Sequence, residues 1–275
     1  MIMSSTTFSL SDPIPSYNSK SATASWISHS KVPQVALAFW IIKIAATTLG
    51  ETGGDALSMT LNLGYLLSTA IFMVCFIVAL FAQVKAKSFH PFLYWTVIVT
   101  TTTVGTTMAD YADRSLGIGY TGGSLILFAI LLLVLGLWRL SAGSISFRNI
   151  TTPKVEIFYW TTILFSNTLG TALGDFLSDT PGFGYAGGAF VFAGALAVIA
   201  GMYFFTKISR TFLFWAAFIL TRPLGATLGD LLTKPHANGG LNLSRISSSL
   251  VLAAFMIGCI FFTSREAGEH PGKQD

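Results

Sequence analysis

The sequence predicts an all-α membrane protein: eight transmembrane helices, built as four parallel two-helix repeats and pseudo-symmetric about the membrane normal. Three observations lead there. The composition is too apolar for a water-soluble domain, eight apolar runs have spanning length, and one motif recurs four times at fixed spacing. Of 275 residues, 52% are hydrophobic and only 10% charged, and the mean hydropathy is positive. That balance excludes a disordered chain.

The apolar runs lie near 33–55, 60–83, 91–111, 119–140, 154–175, 184–206, 211–232 and 243–263. About 20 residues at ~1.5 Å rise cross the ~30 Å hydrocarbon layer. The runs are continuously apolar and do not alternate with period two, which argues for helices over strands. Residues 1–31 are rich in Ser and Thr and lack an apolar signal segment, so a disordered cytoplasmic tail is expected there. Residues 264–275 are expected to form a second cytoplasmic tail. Between them, 32–263 form the membrane domain, with repeats at about 33–85, 88–141, 153–206 and 208–263. Cys75 and Cys259 are lone cysteines in apolar runs and have no metal-ligand spacing.

The net charge of +4 is not a nucleic-acid signal; its distribution carries topology instead. Lys20, Lys31, Lys85, Lys87, Arg139, Arg148, Lys154, Lys207, Arg210, Arg265 and Lys273 fall in the tails or after even-numbered runs. Only Arg114, Lys234 and Arg245 fall on the other side. The positive-inside rule then places both termini in the cytoplasm.

The repeat aligns on tryptophan. Trp40, Trp95, Trp160 and Trp215 are each followed after ten residues by Gly50, Gly105, Gly170 and Gly225. Fifteen residues on come Asp55, Asp110, Asp175 and Asp230, and twenty-four on come Gly64, Gly119, Gly184 and Gly239. A repeat of two spans, used four times, accounts for all of these coincidences. The tryptophan spacings of 55, 65 and 55 divide the chain into two halves joined around 141–152. Each unit has an even number of spans, so the copies run parallel and are related by an axis along the membrane normal. Each Asp then stands about 22 Å beyond its Trp along one helix. The tryptophans are expected as belt or packing anchors near the cytoplasmic side, and the glycines at offset twenty-four as helix-entry turns.

These motifs, G-E-T-G-G-D (50–55), T-T-V-G-T-T-M-A-D (102–110), N-T-L-G-T-A-L-G-D (167–175) and R-P-L-G-A-T-L-G-D (222–230), carry a resemblance. The chain is similar, over roughly 33–263, to a family of bacterial integral membrane proteins made of four tandem two-helix repeats of unknown function with a characteristic Trp. The resemblance implies eight helices and a bacterial inner-membrane location, and supplies no activity. A second, partial likeness is to the Glu-x-Gly-Asp motif of cation exchangers, from which Glu51 and Asp55 depart by one position.

Each odd-numbered run carries two stripes. Gly50/Gly54, Gly105/Ala109, Gly170/Gly174 and Gly225/Gly229 form a small-xxx-small edge, which lets helices approach closely in lipid. Beside it, at four-residue spacing and hence on one face, lies a polar stripe. It reads Lys43, Thr47, Glu51, Asp55 in the first repeat and Ile98, Thr102, Thr106, Asp110 in the second. In the third it reads Ile163, Asn167, Thr171, Asp175, and in the fourth Phe218, Arg222, Ala226, Asp230. Packing along the glycines is expected to gather the polar stripes in the interior, with the nearly pure hydrocarbon even runs outside. The plainer alternative is that the aspartates cap the next helix or sit in interfacial water. Against it, a helix C-terminus disfavours an anion.

Lys43 and Arg222 lie at mid-span, where ionisable groups are costly and usually pair or line a pathway. The acids Glu51, Asp55, Asp110, Asp175 and Asp230 outnumber these two bases, which calls for protons or a bound cation. The stripes also offer Thr47, Thr102 and Asn167, with backbone carbonyls if the helices unwind at the glycines. His29, His90, His236 and His270 all fall in tails or breaks. An all-oxygen donor set suits Mn²⁺, Mg²⁺, Ca²⁺, Na⁺ or protons and suits Zn²⁺ poorly.

The expected function is therefore secondary transport of a small hard cation, coupled to protons. Glu51 and Asp55 are the first metal ligands, Asp110, Asp175 and Asp230 complete the site, and Lys43 and Arg222 act as counter-charges. The alternatives are transport of a small anion held by Lys43 and Arg222, or a non-transporting scaffold or sensor. No enzyme is expected, since no nucleophile–base pair or nucleotide loop is present. No cofactor is required, the cation being substrate. The lipid bilayer and the ion are the expected partners, with nucleic acid excluded and a homo-oligomer allowed.

Overall fold

The computed structural model describes residues 31–86, 88–143, 145, 152–179 and 183–263; the two predicted tails lie almost wholly outside them. Eight long helices follow in chain order: α1 (Leu37–Asp55), α2 (Gly64–Lys85), α3 (Pro91–Asp110), α4 (Gly119–Ala142), α5 (Pro153–Ser178), α6 (Gly184–Phe205), α7 (Arg210–Thr233) and α8 (Arg245–Phe262). No strand occurs among the described residues. Five of the helices, α2, α4, α6, α7 and α8, are long and apolar enough to cross a membrane, which suggests a multi-pass membrane protein. The other three, α1, α3 and α5, carry the Thr- and Gly-rich stripes that lower their mean hydropathy.

The odd-numbered helices close into a ring: α1 packs on α3, α3 on α5, α5 on α7, and α7 on α1. The even-numbered helices lie outside, but not over their own repeat. α2 packs chiefly on α3, α4 on α5, α6 on α7, and α8 returns to α1. Each outer helix therefore straps its repeat to the next, and the last strap closes the circle. The outward faces of these helices are apolar side chains such as Leu66, Leu133, Phe190 and Leu250, all exposed.

The glycine stripe explains the closeness of the ring. A side chain at Gly105 would meet the backbone of Asn167 at 3.1 Å, and one at Gly170 would meet Arg222 at 2.6 Å and Pro223 at 3.1 Å. Gly50 lies against Thr102 and Gly225 against Thr47 in the same way. So the glycine edge of one helix receives the polar stripe of the next, and the register is the same at all four interfaces. The expectation that glycines merely bring stripes side by side is thus refined: each glycine is the socket for its neighbour's polar residue.

At one end of the ring the tryptophans form a girdle. Phe39 packs on Trp95, Tyr94 on Trp160, Tyr159 on Trp215 and Phe214 on Trp40, with centroids 5.5, 5.6, 6.0 and 5.7 Å apart. Trp95 and Trp160 are buried and Trp40 and Trp215 half-buried, so the repeated Trp packs between helices, which is one of the two roles expected of it.

At the other end, α1 and α3 each run into a π-helical turn, Ala56–Thr60 and Tyr111–Ser115. The glycines at offset twenty-four follow, and all four have positive φ: +75° at Gly64, +73° at Gly119, +62° at Gly184 and +82° at Gly239. The first three open helices, as expected. Gly239 instead ends a short 3₁₀ turn (His236–Asn238), and α8 begins later, at Arg245. No heavy atom lies within 4 Å of an ideal Cβ at Gly64, so Gly64→Ala is expected to cost about 1–2 kcal/mol through backbone strain alone, measurable as a lower melting temperature.

Candidate functional site

The polar stripes of the four inner helices form stacked layers inside the ring. Next to the aromatic girdle lie Lys43, Ile98, Ile163 and Phe218; then Thr47, Thr102, Asn167 and Arg222; then Glu51, Thr106, Thr171 and Ala226; last come the four aspartates. All sixteen are buried. The helices stay helical through the glycine motifs, so the carbonyls that unwinding would have freed remain in the helical ladder. Thr47 donates to the Thr221 carbonyl (3.1 Å), Thr102 to that of Ala46 (3.3 Å), and Asn167 to the Thr101 hydroxyl (3.1 Å). These three bonds repeat one pattern, from the second-layer residue back to the preceding repeat. They tie the ring together at mid-height.

Arg222 takes the equivalent place in the fourth repeat. Its Nη2 lies 3.1 Å from Glu51 Oε2 and 2.6 Å from Thr106 Oγ1, and it also bonds the Thr171 hydroxyl. Thr106 in turn donates to Glu51 Oε2 at 3.2 Å. Arg222 from α7 thus reaches groups on all three other inner helices. Gly170 and Gly229 make this possible, since a side chain there would fall within 2.6 Å of Arg222 and Glu51 respectively. Lys43 is less well served. Its Nζ has no hydrogen-bond partner and lies 4.0 Å from the Phe218 ring centroid.

The aspartates are 1–3% exposed. None caps a following helix, so the capping and interfacial-water readings are corrected: burial has turned these groups inward. Lys234 Nζ bridges Asp55 (2.9 Å) and Asp230 (3.1 Å), and Arg245 approaches Asp55 at 3.4 Å. Arg114 bridges Asp110 (2.8 Å) and Asp175 (3.4 Å). The expected excess of five acids over two bases is corrected by the same contacts: Arg114, Lys234 and Arg245 bring the bases to five. Two of them were marked in the sequence by i, i+4 spacing, Asp110 to Arg114 and Asp230 to Lys234, which suits ion pairs on a helical turn. Burial works against the Lys234 ammonium, yet the Asp230 and Asp55 carboxylates outweigh it and hold it well above the ordinary lysine range.

Glu51 stands at the centre of the acids. One oxygen each from Glu51, Asp55 and Asp110 lie within 4.8 Å of one another, and so do those of Glu51, Asp175 and Asp230. The second oxygens are not all used: Asp55 Oδ1 and Asp175 Oδ1 lack a hydrogen-bond partner. The arrangement can hold a small cation between carboxylates, or share protons among them.

No curated protein and no solved structure is similar to this chain at a significant level. A family model does match, under the description "Repeat of Unknown Function (DUF347)", at 38–89, 93–144, 158–209 and 213–268. Each match spans one inner helix and the outer helix after it. These four tandem matches cover most of the chain, which therefore belongs to the DUF347 repeat family.

Proposed function

We propose that this protein is a multi-pass transporter of the bacterial inner membrane that exchanges a small hard cation for protons through the carboxylate cluster around Glu51. In this reading all eight helices span, both termini are cytoplasmic, and the acids face the outer side. The three basic residues that count against the positive-inside rule support that orientation, because Arg114, Lys234 and Arg245 are spoken for by ring aspartates. The exposed apolar faces of the outer helices fit lipid.

The observation that carries the reading is the pair of carboxylate triads sharing Glu51, within 4.8 Å and fully buried. Oxygen-only sites of this kind suit Mn²⁺, Mg²⁺, Ca²⁺ or Na⁺. Arg114, Lys234 and Arg222 are resident counter-ions that hold the acids together when the substrate is away. Entry of a cation competes with them for the same oxygens.

Flux of Mn²⁺, Mg²⁺, Ca²⁺ and Na⁺ into proteoliposomes tests this. Glu51→Gln and Asp55→Asn should each lower flux of the carried ion by at least about tenfold, a loss seen even when a ligand's supporting contacts are removed. Wild-type flux in both variants, for every ion, would remove the proposal. One observation favours the anion reading: Lys43 Nζ and Arg222 Nε and Nη1 are buried without hydrogen-bond partners. That reading gains if Arg222→Gln abolishes anion binding while the carboxylate variants are silent. A polar core that serves only as scaffold would leave every flux at background while its variants unfold.

A further inference from the structure

Within the cation-exchange reading, on which this rests, we infer that Lys43 carries the exchanged proton. Five carboxylates occupy the two outer layers, and four basic groups lie in contact with them: Arg222, Arg114, Lys234 and Arg245. Lys43 is the fifth base and touches none of the acids. Its neighbours in the layer are Ile98 from α3, Ile163 from α5 and Phe218 from α7, all buried. The charged groups that face it are Arg222, one layer away on α7, and Glu51, two turns along its own helix. The remaining buried acids lie elsewhere. Asp113 faces Gly123 of α4, and Glu156 is paired with Lys31 at 3.0 Å.

The count of charges then defines the switch. With Lys43 protonated and all five carboxylates ionised, the interior is neutral without a substrate. With Lys43 as the free amine, it is one positive charge short, which offsets one of the charges that a cation brings to the carboxylates. Chemistry at the nitrogen points the same way. An ammonium has only donors, and the surroundings of Lys43 offer it no acceptor beyond the Phe218 ring. The neutral amine has a lone pair, and the Arg222 Nε and Nη1 groups, one layer away, are donors without partners. Lys43 is the one base of the five for which the neutral form is better provided than the charged form.

The step is a proton exchange. As the cation binds the carboxylate oxygens, one N–H bond of the Lys43 ammonium breaks, its electron pair stays on Nζ, and the proton leaves to water as the counter-ion. When the cation departs, Nζ takes a proton back. Arg222 cannot serve, since a guanidinium stays charged.

Calorimetric titration of the full-length protein with Mn²⁺, in buffers of different ionisation enthalpy, reads the protons released. Wild type should release about one more proton per Mn²⁺ than Lys43→Met or Lys43→Gln at some pH in the neutral range. Lys43→Arg, with a fixed charge, should bind Mn²⁺ more weakly by roughly 5- to 150-fold, the usual span of coupling between two sites. Equal proton release in wild type and both neutral variants, or a wild type that binds Mn²⁺ with no proton release, overturns the role of Lys43 and leaves the cation site standing. A wild type that neither binds nor transports Mn²⁺, Mg²⁺, Ca²⁺ or Na⁺ defeats the transport reading, and this inference with it.

Discussion

Replacing Arg222 by glutamine is expected to destabilise the protein by about 3–5 kcal/mol, the usual loss when one partner of a buried ion pair is removed. The reason is what stays behind. Glu51 would be left 2% exposed with the Thr106 hydroxyl as its remaining close donor, and Thr106 and Thr171 would lose the group that links their helices. Adding Glu51→Gln to Arg222→Gln should recover much of the loss, because two amides can pair without an uncompensated charge. Thermal unfolding in detergent of wild type, both single variants and the double variant gives the coupling directly. Additive losses would mean that the 3.1 Å contact contributes nothing to holding the ring.

The second large effect is expected at Gly225. A methyl group there would lie 2.5 Å from Thr47 Cβ and 2.8 Å from the Thr47 backbone carbon. The near atoms include backbone, so α7 and α1 have to move apart. Overpacking of this kind costs about 1–3 kcal/mol, and here it falls on the interface that closes the ring. Gly50→Ala repeats the experiment between α1 and α3, against Thr102. Gly194→Ala is the control, since nothing lies within 4 Å of its Cβ. There alanine should stabilise the helix by about 0.5–1 kcal/mol. Equal responses at Gly225 and Gly194 would show that the glycine stripe is not the packing edge.

Much of this arrangement was legible in the chain because a helix writes its faces into sequence with a fixed period. Steps of four residues, begun three residues after each tryptophan, sort Lys43, Glu51, Asp55 and their counterparts into one stripe, and the glycines at offset ten fall into another. The structure stacks that stripe into layers. What spacing could not convey is which helix faces which. That Gly170 receives Arg222, or that α2 straps α3 and not its own repeat partner α1, depends on loop paths and on closing a ring of four, and neither leaves a periodic trace.

The same limit applies to the charges. Arg114 and Lys234 stand four residues after ring aspartates, a spacing that suits ion pairs but sits in breaks where a basic residue also carries topology. Arg245 had no such mark. It reaches Asp55 because α8 comes back to pack on α1, a contact made across almost the whole chain. The π-helical turns after Asp55 and Asp110 were likewise silent in the sequence, since one extra residue in a turn looks like any other loop length.

The most direct test of a cation site at Glu51 is a density map of the protein with saturating Mn²⁺, recorded for its anomalous signal. A peak is expected within coordination distance of a Glu51 carboxylate oxygen and of at least one aspartate pair, with Lys234 or Arg114 swung off its partners. A map with Mn²⁺ bound only at the surface, and with Arg222, Arg114 and Lys234 still bridging the same acids, would contradict it.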